Sequence, residues 1–323
     1  MEAKMPTKTK IEWADYVTNP IRAFVSDNPN KDGYACVRKS EGCAHCWAST
    51  FNMRLGTGLE YTLPNLHRVT VYLKHKELLA IRTFKPHGPF KNGRSRAMVF
   101  PCDMTDLFGE WMDKFSIRLV FDALAYRNDV DFMVLTKRPE IAVMWLDNWL
   151  SINMNVPKNI LIGTSIENDA RAKERLTSMK TIHKMGFIEV SYEPALEAVD
   201  WLGWEFLNWL GCGGESGNGA RPMPPAAARS AREFCQLWDI PFFFKQWGEW
   251  TPIKDLNIGA GTTFKHKPVR IGDDVMCQVG RGMAGHLLDG VEWRQLPGQT
   301  PIPTFPQIDK EHVNLGEGET EER

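Results

Sequence analysis

A chain of 323 residues has room for one large domain or two ordinary ones, and its 43% hydrophobic content excludes a disordered or collagen-like polymer. Lys plus Arg (39) nearly balances Asp plus Glu (40), so no overall field draws the protein onto DNA or a membrane, although a local basic groove remains open to it. No apolar run approaches the about 20 residues of a membrane span. The N-terminus is basic and polar without an apolar signal region, and the expectation is a soluble cytoplasmic protein.

In chain order, a first strand is expected near residues 10–16, followed by a long loop whose cysteines lie within 33–48. Segment 56–96 is basic and poor in acids. It carries His67, His75 and His87, together with Lys74, Lys76, Lys85, Lys91, Arg94 and Arg96. These cations suit phosphate contacts, and a solvated charged insertion is the plainer alternative. From about 97 to 247, short apolar runs at 97–101, 130–135, 160–165, 187–191, 209–213 and 241–245 alternate with helical patterns at 106–126, 139–150, 168–185 and 225–238. Near-continuous apolar strands of this kind suit a parallel sheet covered on both faces. Asn168 is placed to cap its helix. The alternation predicts an α/β protein: a partial, TIM-like (β/α) barrel of six to seven units over residues 1–250. Residues 251–298 read as a small irregular extension and 299–323 as a largely disordered, acidic tail.

Seven cysteines are present, and three of them (Cys36, Cys43 and Cys46) fall within eleven residues. In a reducing compartment such a cluster reads first as a metal or redox group. The scattered Cys102, Cys212, Cys235 and Cys277 read as buried free thiols. The two-residue gap between Cys43 and Cys46 directs both thiolates at one centre, and Gly42 lets the backbone turn. Three readings stand. An iron–sulfur cluster held by three thiolates leaves one iron open. A zinc site needs a fourth ligand, from His45 or a distant His, and His45 is badly placed between two ligands. The third reading is a set of structural thiols.

Several stretches carry a resemblance: Ile11-Glu12-Trp13, Asn19-Pro20, Gly42-Cys43-Ala44-His45-Cys46-Trp47-Ala48, Asp103-Met104-Thr105-Asp106-Leu107-Phe108, Thr136-Lys137-Arg138-Pro139 and Ser165-Ile166-Glu167-Asn168. Others are Gly213-Gly214-Glu215-Ser216-Gly217, Gly219-Ala220-Arg221-Pro222-Met223, Phe243-Phe244-Lys245-Gln246-Trp247-Gly248-Glu249-Trp250 and the late stretch from Ala284-Gly285 through Leu287-Leu288-Asp289-Gly290. In this order they resemble a bacteriophage-associated, three-cysteine family of radical-SAM-like proteins. The insert 21–35 and the six-then-two cysteine spacing depart from the family's short connection and from the three-then-two spacing of the main radical SAM superfamily.

The resemblance implies an enzyme with two cofactors: a 4Fe-4S cluster on Cys36, Cys43 and Cys46, and S-adenosyl-L-methionine (SAM) on its open iron. SAM would be cleaved to a 5′-deoxyadenosyl radical, with an electron donor such as flavodoxin or ferredoxin. Phage relatives imply a DNA or nucleobase substrate in a bacterial host cell, for instance a substituent rearranged on a hypermodified thymidine. A radical DNA-repair lyase is the alternative enzyme, and a zinc-stabilised, non-catalytic nucleic-acid-binding protein the alternative of another class. For SAM the resemblance points to Asp103, Ser165, Glu167, Asn168, Gly213, Gly214 and Glu215, with Glu167 and Asn168 toward the ribose hydroxyls. For catalysis it points to Lys137, Glu193 and Glu215. Ion pairing between strand ends and helix capping are the structural alternatives for the same residues. Trp247 is a candidate to stack a base, or simply to pack.

Overall fold

The computed structural model describes residues 6–153, 157–185, 188–256, 264 and 266–297. The expected tail 299–323 lies outside them. Eight strands form one sheet and stand in it in chain order: β1 (Thr7–Lys8), β2 (Tyr16–Thr18), β3 (Met98–Pro101), β4 (Asp131–Thr136), β5 (Ile160–Ser165), β6 (Ile188–Tyr192), β7 (Trp209–Gly213) and β8 (Phe242–Gln246). β1 is antiparallel to β2. All later neighbours are parallel.

Helices α1 (Trp47–Leu55) and α2 (His75–Thr83) lie between β2 and β3, and α3 (Lys114–Ala125) between β3 and β4. Helix α4 (Pro139–Asn153) follows β4, α5 (Asp169–His183) follows β5, and α6 (Pro225–Leu237) follows β7. Parallel crossovers of one hand place their helices on one face of the sheet. The core obeys this. Val99, Phe132, Val134, Ile160, Ile162, Val190, Leu210 and Phe244 pack with Phe121 of α3, Trp145 of α4, Met179 of α5 and Ala228 of α6. The alternate residues Met98, Met133, Leu161, Trp209 and Phe243 form a separate inner cluster, filled by Trp13 and Leu296. The period of two thus divides β3, β4, β5, β7 and β8 between two cores, and their apolar runs look continuous because both sides are buried.

Three expectations about elements need correction. Residues 10–15 form a turn instead of a strand, because Asp15 spends its carboxylate on the backbone N–H groups of Lys91 and Met98 (2.8 Å each). The helix expected from 106 begins at Lys114, capped by Asp113, whose carboxylate accepts from Ser116 N at 2.8 Å. Residues 102–112 are held in turns because Asp106 accepts from Phe108 N and the Thr136 hydroxyl. Segment 251–298 is not wholly irregular. It carries strands Val269–Ile271 and Asp274–Gln278, joined to Trp250–Pro252, and a short ribbon of Leu287–Leu288 with Val291–Glu292.

The insert 21–35 folds as a hairpin, Ile21–Val25 with Asn28–Gly33, and Val69–Leu73 joins it as a third antiparallel strand. Among the described residues no helix is long and apolar enough to cross a membrane.

Candidate functional site

Above the inner apolar layer, at the carboxyl ends of the strands, the same inward-facing positions turn polar. Ser165 of β5, Ser191 of β6, Glu193 just beyond it and Lys245 of β8 line a cavity of about 550 Å³, with Phe100, Leu135 and Trp13 also on its wall. That volume is within the roughly 300–1,000 Å³ of small-molecule sites. Cys36, Cys43 and Cys46 all border it.

The cysteine loop is held by strand-end loops from across the sheet. Thr105 donates its hydroxyl to Ala35 O (2.5 Å), and Arg138 donates to Val37 O (3.0 Å). Ser40 donates to Glu167 (2.5 Å), Arg171 forks onto Glu41 (3.0 Å twice), and Arg221 reaches Glu41 O (3.1 Å). Gly42 is required by contact: a Cβ there would lie 2.6 Å from Glu167 Cγ and 2.9 Å from Lys137 Nζ. A single 3-10 turn, Glu41–Cys43, then leads to Cys46, the N-cap of α1. Cys36 and Cys46 pack on one side with Ala48, Tyr61 and Met104.

The three thiols differ electrostatically. Burial pushes Cys36 up to about 12, with Asp106 adding to it. Burial also raises Cys46, against the backbone N–H groups of Ser49 and Ala48 at the start of α1. At Cys43 burial works the same way, yet the Lys137 ammonium and the backbone of Lys39 and Ser40 outweigh it and lower the thiol. Cys102 also borders the cavity, but it is packed in the helix-side core. Burial raises its thiol, and the carboxylates of Asp103, Asp106 and Glu77 add to the rise.

The other predicted site residues divide into two groups. Asp103, Lys137, Ser165, Glu193, Gly214 and Glu215 line the cavity; Glu167, Asn168 and Gly213 do not. Glu167 is fully buried, paired with Lys137 and with Arg175 at 2.9 Å, and these two cations hold its carboxyl below the usual range despite burial. Asn168 caps α5, accepting from Arg171 N at 3.0 Å. Glu215 is gripped by Arg221 through both carboxylate oxygens, at 2.6 and 2.9 Å. Glu193 pairs with Lys245 at 2.8 Å. Burial, opposed by the Asn19 amide at 2.5 Å, pushes Asp103 up to about 6. Gly214 and Gly248 let two loops cross: a Cβ on Gly214 would collide with Trp247 O, and one on Gly248 with Glu215 O. Trp247 is 1% exposed and donates its indole N–H to Leu287 O (2.8 Å), which makes it a packing residue.

Sequence reasoning missed parts of this wall. Tyr61, Glu12 and Arg281 also border the cavity, and Arg281 closes onto Glu12 at 2.6 Å. Only the motif around Glu12 pointed there. The phosphate contacts expected of the basic segment need correction at Lys91, Arg94 and Arg96. Lys91 donates to three backbone carbonyls, of Thr9, Ile11 and Ala14 (2.7 Å each), and Arg96 binds Asn128 O and Asp131. Arg94 is half-buried, and the carboxylates of Glu189 and Asp131 act on its guanidinium. Among the described residues, no three His, Cys, Asp or Glu side chains are gathered as a single metal ion would require.

The fold and the site define an α/β protein with a sequentially ordered parallel sheet and a cysteine-bordered cavity at its carboxyl edge. The chain belongs to the family described as "Protein of unknown function (DUF5131)", which matches residues 8–297. No curated protein matches it. Among solved structures it is similar to a mutant of spore photoproduct lyase, at 12% identity and a TM-score of 0.43, over 85% of this chain and 71% of that one. It is similar also to that lyase complexed with dinucleoside spore photoproduct, at 12% identity, TM-score 0.42, 84% and 71%. A double mutant with bound AdoMet and the dinucleoside gives the same values.

Proposed function

We propose that this protein is a radical SAM enzyme acting on a nucleobase of DNA, with its sheet working as a partial β/α barrel. The observation that carries the reading is the meeting of three loop thiols, none of them in a disulfide, on one cavity whose remaining wall is polar strand ends. The donor set fits a cluster better than zinc. A structural zinc ion is closed by four ligands, and the loop brings three cysteines to the cavity. Three loop thiols on one cavity are the donor set that holds an iron–sulfur core with one iron left open.

Cys36, Cys43 and Cys46 would hold the 4Fe-4S cluster, and Cys102, turned into the core, would not. When bound, the cluster and SAM supply a 5′-deoxyadenosyl radical that abstracts hydrogen from the substrate. The chain's own residues orient and enclose. Lys137 stands beside Cys43 and favours its thiolate. Asp103, Glu193 and Glu215 offer carboxylates to an ammonium, and Ser165 and the Gly214 backbone offer hydrogen bonds to SAM. Glu167 and Asn168, outside the wall, fix the loops that carry these groups. The phage-family resemblance points to a base of modified DNA as substrate. A flavodoxin- or ferredoxin-type donor would supply the electron.

Anaerobic reconstitution tests this. The wild type should be brown, carry about four irons and four sulfides per chain, and release 5′-deoxyadenosine from SAM under a reductant. Cys36→Ala, Cys43→Ala and Cys46→Ala should each lose iron, while Cys102→Ala and Cys235→Ala keep it. A colourless, zinc-loaded protein, or full iron in all three loop variants, overturns the reading.

A further inference from the structure

Helix α1 is built the wrong way round for a surface helix. Its buried side consists of Ala48, Ser49 and Asn52, whereas Trp47 (53% exposed), Phe51 (42%) and Leu55 (71%) face outward. Spaced i, i+4 and i+8, these three lie on one face. Leu63 adds a further exposed apolar side chain from the next short helix. Hydrogen bonds fix the inverted orientation. Asn52 accepts from Tyr34 N (2.9 Å) and donates to Thr57 Oγ1 (2.7 Å) and Leu59 O (2.9 Å). Ser49 accepts from Tyr61 N at 3.1 Å. The polar side of the helix is therefore consumed inside the protein, and its apolar side is left to meet something else.

Two observations say what that is. The stripe is continuous with the candidate site, since Trp47 follows Cys46 directly and itself borders the cavity. A ligand too large for the cavity would run out along this face. The helix itself also favours an anion: Trp47–Leu55 carries the exposed Arg54 in its last turn and no acid. Flat aromatic rings beside cations of low acid density are the means by which proteins hold unpaired nucleic-acid strands, one base per ring with cations on the backbone.

We propose that the exposed face of α1 is a stacking platform for an unpaired DNA strand flanking the nucleotide that enters the cavity, with bases on Trp47 and Phe51 and a phosphate on Arg54. The assignment rests on the nucleobase reading above, and it adds that the enzyme binds its substrate unstacked, as a single strand or a locally opened duplex.

The experiment is fluorescence anisotropy of a labelled single-stranded oligonucleotide and of its duplex with the iron-loaded full chain. Wild type is compared with Trp47→Ala, Trp47→Phe and Phe51→Ala, and cluster reduction by flavodoxin is followed in parallel. Trp47→Ala and Phe51→Ala should each weaken single-strand binding about tenfold or more. Trp47→Phe should restore most of it, the single strand should bind more tightly than the duplex, and reduction by flavodoxin should be unchanged. Iron content and melting temperature verify that the variants are folded. Equal DNA affinity in all variants overturns the platform while leaving the nucleobase reading in place. Equal DNA affinity with slowed flavodoxin reduction assigns the face to the electron donor instead. No DNA binding by the wild type at any salt, with SAM cleavage triggered by a free small molecule, overturns the nucleobase reading and the platform with it.

Discussion

Glu167 shows what a single residue does in this site. Its carboxylate joins the Ser40 hydroxyl of the cysteine loop to Lys137 and to Arg175, a cation that is itself buried. Removing one partner of a buried ion pair leaves the other charge uncompensated, which typically costs about 3–5 kcal/mol. Glu167→Ala should therefore lower the unfolding free energy by that order in urea titration, and should reduce iron retention by loosening the cysteine loop. Asn168→Ala, which removes only a helix cap, should cost about 1 kcal/mol and leave the iron in place. Equal small losses in both would show that Glu167 does not anchor the loop. The chemistry of these residues was legible in the sequence as polar groups at strand ends. Their partners were not, because Ser40 and Glu167 stand 127 positions apart and nothing local joins them. The Gly213-Gly214-Glu215 motif is similar. Its glycines were readable as a close approach, but what approaches Gly214 is the Trp247 carbonyl.

At the scale of the element, the apolar runs located β3, β4, β5, β7 and β8 because alternate faces meet different cores. Helices α3 to α6 announced themselves by periodicity and caps, Asn168 among them. Helix α1 was not legible, since its apolar residues point outward and its buried side is Ala, Ser and Asn. Strand β6 broke the apolar pattern in another way. Its inward residues are Glu189 and Ser191, with Glu193 just beyond, and Glu189 is fully buried with neither carboxylate oxygen hydrogen-bonded. Burial pushes Glu189 up to about 8, with Arg94 working against the shift and Asp131 with it. A carboxyl whose folded pKa is raised binds its proton more tightly in the native state. Stability contributed by that proton is complete below the usual carboxylate range, near pH 4.5. It declines as pH rises toward 8 and changes no further above it. Glu189→Gln, which keeps the shape without the titration, should thus gain in melting temperature over wild type progressively from pH 5 to pH 8. Above pH 8 the difference should be constant. A difference that does not vary with pH would mean that Glu189 is ionised in the fold throughout.

Across the whole molecule, the open sheet has two edges, and each is dealt with by a different end of the chain. β1 covers β2 in antiparallel pairing. At the far side the segment 293–296 runs along β8. Phe244 N donates to Trp293 O at 2.9 Å, Arg294 bridges Phe243, and Gln295 N donates to Phe242 O at 3.2 Å. Periodicity could not reveal this, because the segment is tied by backbone bonds to a distant strand and has no repeat of its own. It also completes the inner core, where Leu296 packs with Trp13 and Trp209, and Trp209 donates its indole N–H to Gln295 O at 2.8 Å. An uncovered parallel edge is a template for pairing with other chains, so this strap should protect solubility as well as stability. The side chain of Gln295 acts separately from its backbone, since its Oε1 accepts from Phe242 N at 2.9 Å, in the buried start of β8. Gln295→Ala leaves that N–H without its acceptor and should cost about 1–3 kcal/mol, read as a lower urea midpoint with unchanged slope. A chain ending at residue 290 loses the whole strap and should go further, sedimenting as soluble aggregate at concentrations where the full chain does not. If the shortened chain sediments and melts as the full chain does, β8 is protected by something other than residues 293–296.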